Sequence, residues 1–222
     1  MAVEEFTRLG YCKTTIRGIA AGLQLTKGAV YFHYPSKIAL ARAVIEEGAL
    51  QLAALSRGAL AGRAPALEAL IDISFAVALA EEQNRLLHSA FRLSAEISDN
   101  LGHTASMMTT LAATTGELVH HAISQGDLLD GAVPDEVARL VADMSYGIRH
   151  LTMGACSSVH LAQCWLLLLP GLVDERHVDY FRQFAIRKSR AAETNPTNSG
   201  RRVPQRELGL VPFPCDLAAS LA

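Results

Sequence analysis

Residues 10–37 read GYCKTTIRGIAAGLQLTKGAVYFHYPSK: two short apolar-periodic segments joined by about four residues, with Pro35 following the second at once. Ile16, Ile19 and Ala20 recur at the spacing of one helix face, and Val30 with Leu25 offers the apolar surface they need. This is the layout of a helix-turn-helix. The second segment opens with Thr26, Lys27 and Gly28, which place a hydroxyl, a cation and an unobstructed backbone at one helix end. In this motif that end meets base edges or phosphates.

Outward from this stretch the chain reads as all-α. Alternating strand patterns are nearly absent, Ala and Leu are abundant, and Gly and Pro mostly fall between apolar-periodic segments. The periodicity predicts helices over 3–9, 15–21 and 27–34, then a longer one over 37–56 with Ser36 as its N-cap. Further helices are predicted over 65–82, 86–94, 105–125, 134–156, 158–169 and 174–190. Residues 191–222 hold four of the eight prolines among Asn, Thr, Ser and Gly, lack helical periodicity, and read as a disordered tail.

With 222 residues, half of them apolar, the chain is long enough to bury a core, which excludes disorder as a whole. Its longest apolar stretch, 155–173, is interrupted by Ser157, Ser158, His160 and Gln163 and broken at Pro170 and Gly171, so no membrane span is predicted. The first ten residues carry two acids and no apolar h-region, which predicts a cytoplasmic protein. Cys12, Cys156, Cys164 and Cys215 are scattered and suggest neither disulfides nor a zinc site. The net charge of -2 hides an asymmetry: residues 1–45 are +4, residues 46–189 are -7 and the remainder is +1. A basic head on an acidic body suggests that the head meets a polyanion.

An enzymatic reading finds no support. Glu117 and His120, with His121 beside it, have the E-x-x-H spacing of di-iron bundles, but no second copy exists and Glu81 and Glu82 lack a partner His at that spacing. His88, His103, His150, His160 and His177 are isolated, Ser157-Ser158 reads as a helix cap, and no phosphate-cradling glycine loop occurs. No catalytic residue, metal or cofactor is therefore assigned.

Gly10-Tyr11, Thr14-Thr15-Ile16, Ile19-Ala20, Thr26-Lys27-Gly28, Tyr31-Phe32-His33-Tyr34 and Ser36-Lys37 together resemble the N-terminal DNA-binding domain of TetR-type transcriptional regulators. Within that family the run TKGAVYFHYPSK is most similar to the gamma-butyrolactone receptors of actinomycetes. The resemblance implies a helix-turn-helix DNA-binding domain at 1–45, a helical ligand-binding and dimerisation domain at 46–190, and a homodimer that binds a double-stranded operator. It also implies repression relieved by a small apolar inducer. Residue by residue, it makes Thr15 an N-cap that also touches phosphate, with Arg17 close by. Thr26, Lys27 and Gly28 then face the major groove, and Tyr31, His33 and Lys37 contact the DNA backbone. A Lys at the start of a recognition helix reaches a guanine edge, whereas Tyr and His suit phosphate oxygens.

In the body, Phe75, Phe91, Met107, Met108, Leu111, Tyr146 and Trp165 are candidate lining residues, since small-ligand pockets are mostly apolar. The helices over 134–156 and 158–169, with the strip WLLLL, would form a four-helix interface with their two-fold mates. Three positions depart from the family pattern. The chain begins at what should be the middle of the first helix. Leu111 stands where the receptors usually place a pocket tryptophan. Gln24 occupies the usual turn glycine, where a positive φ would cost about 1 kcal/mol unless Gly22 absorbs the bend. An alternative reading of the same residues is a degenerate relative with weak or no DNA binding, acting as a ligand sink or a heterodimer partner.

Overall fold

The computed structural model describes residues 2–97, 105–152 and 157–193. Those residues form ten helices and no strand: α1 (Ala2–Lys13), α2 (Ile16–Gly22), α3 (Lys27–His33), α4 (Lys37–Ala61), α5 (Ala66–Gln83), α6 (Arg85–Glu96), α7 (Ala105–Gln125), α8 (Pro134–Thr152), α9 (Ser157–Leu172) and α10 (Glu175–Glu193). The molecule is all-α, as its periodicity predicts.

Local chemistry explains most of the boundaries. Thr15, Thr26 and Ser36 each accept a hydrogen bond from the amide three residues on, at 3.0, 3.2 and 3.1 Å, which starts α2, α3 and α4. Asn84 does the same for α6, its Oδ1 taking the amides of Leu86 and Leu87. Such side-chain oxygens satisfy amides that a helix start leaves without partners. Asp174 opens α10 by accepting from the Arg176 amide at 2.9 Å, and the Arg176 side chain holds its carboxyl down to about 2.

Several elements run past their predicted ends. α1 does not stop at Gly10: that residue is non-helical, and one more turn follows it. α9 runs through Pro170 to Leu172, because a proline in the last turn forfeits only one intrahelical bond, and the Leu172 carbonyl is taken by the Leu129 amide at 2.8 Å. α4 extends to Ala61, so position 45 lies inside a single continuous helix. α10 runs one turn past its predicted end, to Glu193; the rest of the expected tail, 194–222, and residues 153–156 lie outside the described residues.

α4 is the axis of the molecule. Its first turns back the helix-turn-helix, and its middle, through buried Ala41, Val44, Ile45, Gly48 and Leu52, is packed between α6 and α7. The approach to α6 is close enough that a Cβ on Gly48 would overlap the Ala90 Cβ. α5 crosses beneath with Leu67, Leu70, Ile71 and Val77 almost fully buried, and α9 and α10 close the bundle on its far side. Trp165 of α9 is wholly enclosed and donates its indole N–H to the Ser74 hydroxyl at 3.0 Å, which satisfies a polar atom that burial would otherwise strand.

The turn between α2 and α3 bears out the reading of Gln24. The Leu25 amide returns to the Ala20 carbonyl at 2.9 Å and the Gln24 amide to Ala21 at 3.1 Å, the paired bonds of a Schellman ending. That ending needs a left-handed residue, and Gln24 supplies it at φ 56°. Gly22 remains helical and absorbs nothing. Leu25, expected with Val30 to pack against Ile16, Ile19 and Ala20, is instead 51% exposed. Replacing Gln24 by Gly removes the Cβ clash at a cost in chain entropy, for a net gain of about 0.5–1 kcal/mol. In thermal unfolding of the full chain, Gln24→Gly should raise Tm by about 2 °C; an unchanged or lower Tm would show that the turn carries no strain.

Candidate nucleic-acid interface

The helix-turn-helix uses its apolar residues inward and leaves its polar and aromatic ones out. Ile16, Ile19, Ala20 and Val30 are buried with Phe6 of α1. Of the sequence-derived candidates, Thr15, Arg17, Thr26, Lys27, Gly28, Tyr31 and His33 are all exposed. Thr15 and Thr26 use a hydroxyl lone pair to cap their helices, and each O–H proton is still able to donate to an anion. The ammonium of Lys27 lies 5.3 Å from the Tyr31 ring centroid, one turn along α3. That contact steers a flexible cation along the outer face without burying it.

Lys37 is placed differently from the other seven. It is half-buried at the start of α4, and its ammonium donates to the carbonyls of Tyr11 at 2.9 Å and Thr14 at 3.1 Å, with Cys12 at 3.5 Å. It also lies 4.2 Å from the centroid of the Tyr11 ring. Three N–H donors are thus directed at three carbonyls around the α1–α2 junction, and the side chain ties that junction to α4.

Phe32 carries no role in the sequence analysis, yet at 86% exposure it is the most exposed large apolar residue among those described. Its ring stands edge-on to His33 at 5.3 Å between centroids. A signal existed: Phe32 lies one turn beyond Gly28 and off the Val30 face, so helical spacing already pointed it outward.

A polar seam joins this face to the body. Gly10 adopts φ 73°, and a Cβ there would stand 2.6 Å from Arg92 Nη2 and 2.7 Å from the Glu96 carboxylate. The Glu96 carboxylate accepts from the Tyr11 amide, Arg92 donates to the Thr7 carbonyl at 2.8 Å, and Arg92 and Glu96 pair at 2.6 Å. Ser89 donates to the Val3 carbonyl at 3.0 Å, and Arg85 reaches Glu4 at 3.2 Å. One face of α6 therefore reads the whole length of α1.

The seven candidates for the ligand pocket do not converge on one described cavity. Phe75, Met107, Leu111 and Trp165 are buried core residues; Phe91 and Met108 are half-buried, and Tyr146 is 40% exposed on α8. Two cavities of about 330 Å³ lie elsewhere. One is bounded by the start of α1, the α2–α3 turn and α4; the other lies between the end of α4, α5 and α10. Neither includes any of the seven. Glu117, His120 and His121 are exposed on α7.

Residues 1–44 match the family of bacterial regulatory proteins, tetR family. No curated protein matches the chain. Among solved structures, a gamma-butyrolactone receptor (ArpA-like protein) is 26% identical with a TM-score of 0.75, over 86% of this chain and 93% of that one. The TetR family protein CprB from S. coelicolor A3(2) is 26% identical with a TM-score of 0.73, over 85% and 93% of the two chains. CprB from Streptomyces coelicolor in complex with its biological operator sequence is 28% identical with a TM-score of 0.72, over 86% and 93%. The chain is thus similar, through its N-terminal domain and its helical body alike, to TetR family regulators of the gamma-butyrolactone receptor kind.

The two lysines of the helix-turn-helix should separate in a stability measurement. Lys37→Met strands carbonyls around the α1–α2 junction and should lower unfolding stability by about 1–2 kcal/mol, whereas Lys27→Ala, on the open face, should change it by less than about 0.5 kcal/mol. Equal effects of the two in denaturant unfolding would contradict the clamp.

Proposed function

We propose that this chain is a ligand-responsive transcriptional repressor that binds a pseudo-palindromic operator through α2 and α3 as a homodimer. The observation that carries the reading is the outer face of α3, where Thr26, Lys27, Gly28, Tyr31 and Phe32 stand exposed side by side at the end of the basic segment. On this reading Lys27 contacts a guanine edge or phosphate, Phe32 meets a thymine methyl, and Tyr31, His33, Thr15 and Arg17 hold phosphates. Lys37 acts on DNA indirectly, by holding the α1–α2 junction against α4. The similarity to CprB, described with its operator, supports the same docking here.

Dimerisation is read from α8 and α9. Leu140 of α8 and Leu167 of α9 are exposed at 44% and 81%, large apolar side chains with nothing over them in a single chain. A two-fold mate on this face would cover them and set two α3 helices about one helical turn of DNA apart, roughly 34–36 Å. An apolar effector of the gamma-butyrolactone class, bound among α5 to α9 near Trp165, would favour a second arrangement of α4 and α6 in which that spacing is lost. An effector can do this only if it binds the second arrangement more tightly.

The test is a gel shift with the full chain on DNA flanking its own gene, at two salt concentrations. The parent should bind with affinity that falls steeply with salt. Lys27→Ala and Tyr31→Ala should each weaken it by about tenfold or more, and Tyr31→Ala, which removes an uncharged phosphate contact, should leave the salt slope unchanged. Salt-insensitive binding, or variants indistinguishable from the parent, would overturn the proposal.

A further inference from the structure

Arg149 of α8 and Glu81 of α5 are the two charged residues, among those described, that are buried between the helices, and the operator-binding reading uses neither. The Arg149 side chain is 8% exposed, and its Nη2 has no hydrogen-bond partner among the described residues. The guanidinium lies 4.4 Å from the Phe91 ring centroid, and its Nε is 3.7 Å from Glu81 Oε2, close enough for attraction but beyond hydrogen-bond reach. On the other Glu81 oxygen, His88 Nδ1 stands at 3.6 Å. Burial lowers the Arg149 pKa from its ordinary value, opposed by the charge of Glu81. A buried guanidinium with an unsatisfied N–H is costly, and an arriving anion would relieve it.

The same face of α5 leads from this charge to the tryptophan. Ser74, which holds Trp165, and Glu81, which faces Arg149, are seven residues apart, two helical turns or about 10 Å. Val77 and Ala78 lie between them, both buried and apolar. The pattern is a cation at one end, an aliphatic floor and an aromatic wall at the other.

We propose that Arg149 is the anchor for the carboxylate of an amphiphilic organic acid, whose apolar body extends along Val77 and Ala78 of α5 toward Trp165. This narrows the effector of the preceding reading from any apolar molecule to a monocarboxylate, and it rests on that reading only for its effect on DNA. His88 and Phe91 lie on the face of α6 turned to Glu81 and Arg149, while Ser89, Arg92 and Glu96 lie on the face that holds α1. A carboxylate that draws Arg149 away from Phe91 and Glu81 therefore shifts α6, and α6 carries α1 with it.

The probes are decanoate, methyl decanoate and γ-decalactone, titrated into the full-length protein at pH 7 while the fluorescence of its single tryptophan is followed. Decanoate should bind about tenfold or more tightly than its methyl ester. Arg149→Met should erase that difference, and Glu81→Gln, which frees the guanidinium from its competitor, should strengthen decanoate binding and leave the ester unchanged. The Glu81 variant keeps the proposal testable if loss of Arg149 prevents folding. Equal affinity for acid and ester, or no gain with Glu81→Gln, overturns it. A parallel gel shift separates the two readings. Operator release by γ-decalactone alone would sustain the repressor and reject the carboxylate site, whereas Arg149-dependent decanoate binding without operator binding would sustain the site and reject the repressor.

Discussion

The helix-turn-helix is tied to the body chiefly by the docking of α1 on α6, and that docking is possible because position 10 has no side chain. Arg92 and Glu96 lie where a Cβ would sit, and their charged groups bind the α1 backbone directly at Thr7 and Tyr11. Charge-assisted bonds to main-chain atoms are short and directional, so they hold α1 in register as well as in contact. The left-handed turn at Gly10 then swings the last turn of α1 outward, which brings the Tyr11, Cys12 and Thr14 carbonyls together beneath the Lys37 ammonium. Two clamps follow from one glycine. One joins α1 to α6 and the other joins the α1–α2 junction to α4, so the recognition helix has no independent seat.

This arrangement explains why a boundary at residue 45, which the charge pattern suggests, has no counterpart in the backbone. α4 is continuous from Lys37 to Ala61 and is packed along its middle by α6 and α7. The change of sign in the sequence marks a change of surface, with the helical frame running straight through it. A displacement of α6 would consequently reach α3 by two routes, through α1 and through α4.

The parts of the fold legible in the sequence are those governed by short-range chemistry. Thr15, Thr26 and Ser36 announce helix starts because a cap needs only the next three residues, and Gln24 announces strain because the turn fixes its φ. What escaped depends on distant partners. Gly10 reads as a helix stop until Arg92 and Glu96, more than eighty residues on, are seen to occupy its Cβ position. Lys37 reads as one more cation of a basic segment, and nothing local shows that three carbonyls surround it. Tyr146 reads as a pocket aromatic by type, yet it is 40% exposed on α8, while on the same helix face Arg149, one turn on, is buried.

The buried arginine bears on how such a body can discriminate among ligands. Phe75, Met107, Leu111 and Trp165 are apolar core residues, and apolar surface alone discriminates poorly among hydrophobic molecules, because one methylene more or less changes affinity only modestly. An unsatisfied cation within that core changes the rule. A ligand that completes its hydrogen bonds gains from desolvation of the site, and one that leaves it unpaired gains only the apolar contact. Glu81 sets the threshold by holding part of the guanidinium's charge in the absence of ligand, at a distance too long for a hydrogen bond. Because Glu81 sits on α5 while His88 and Phe91 sit on α6, exchanging the internal carboxylate for an external one moves one helix relative to the other. Recognition and displacement are thereby the same event.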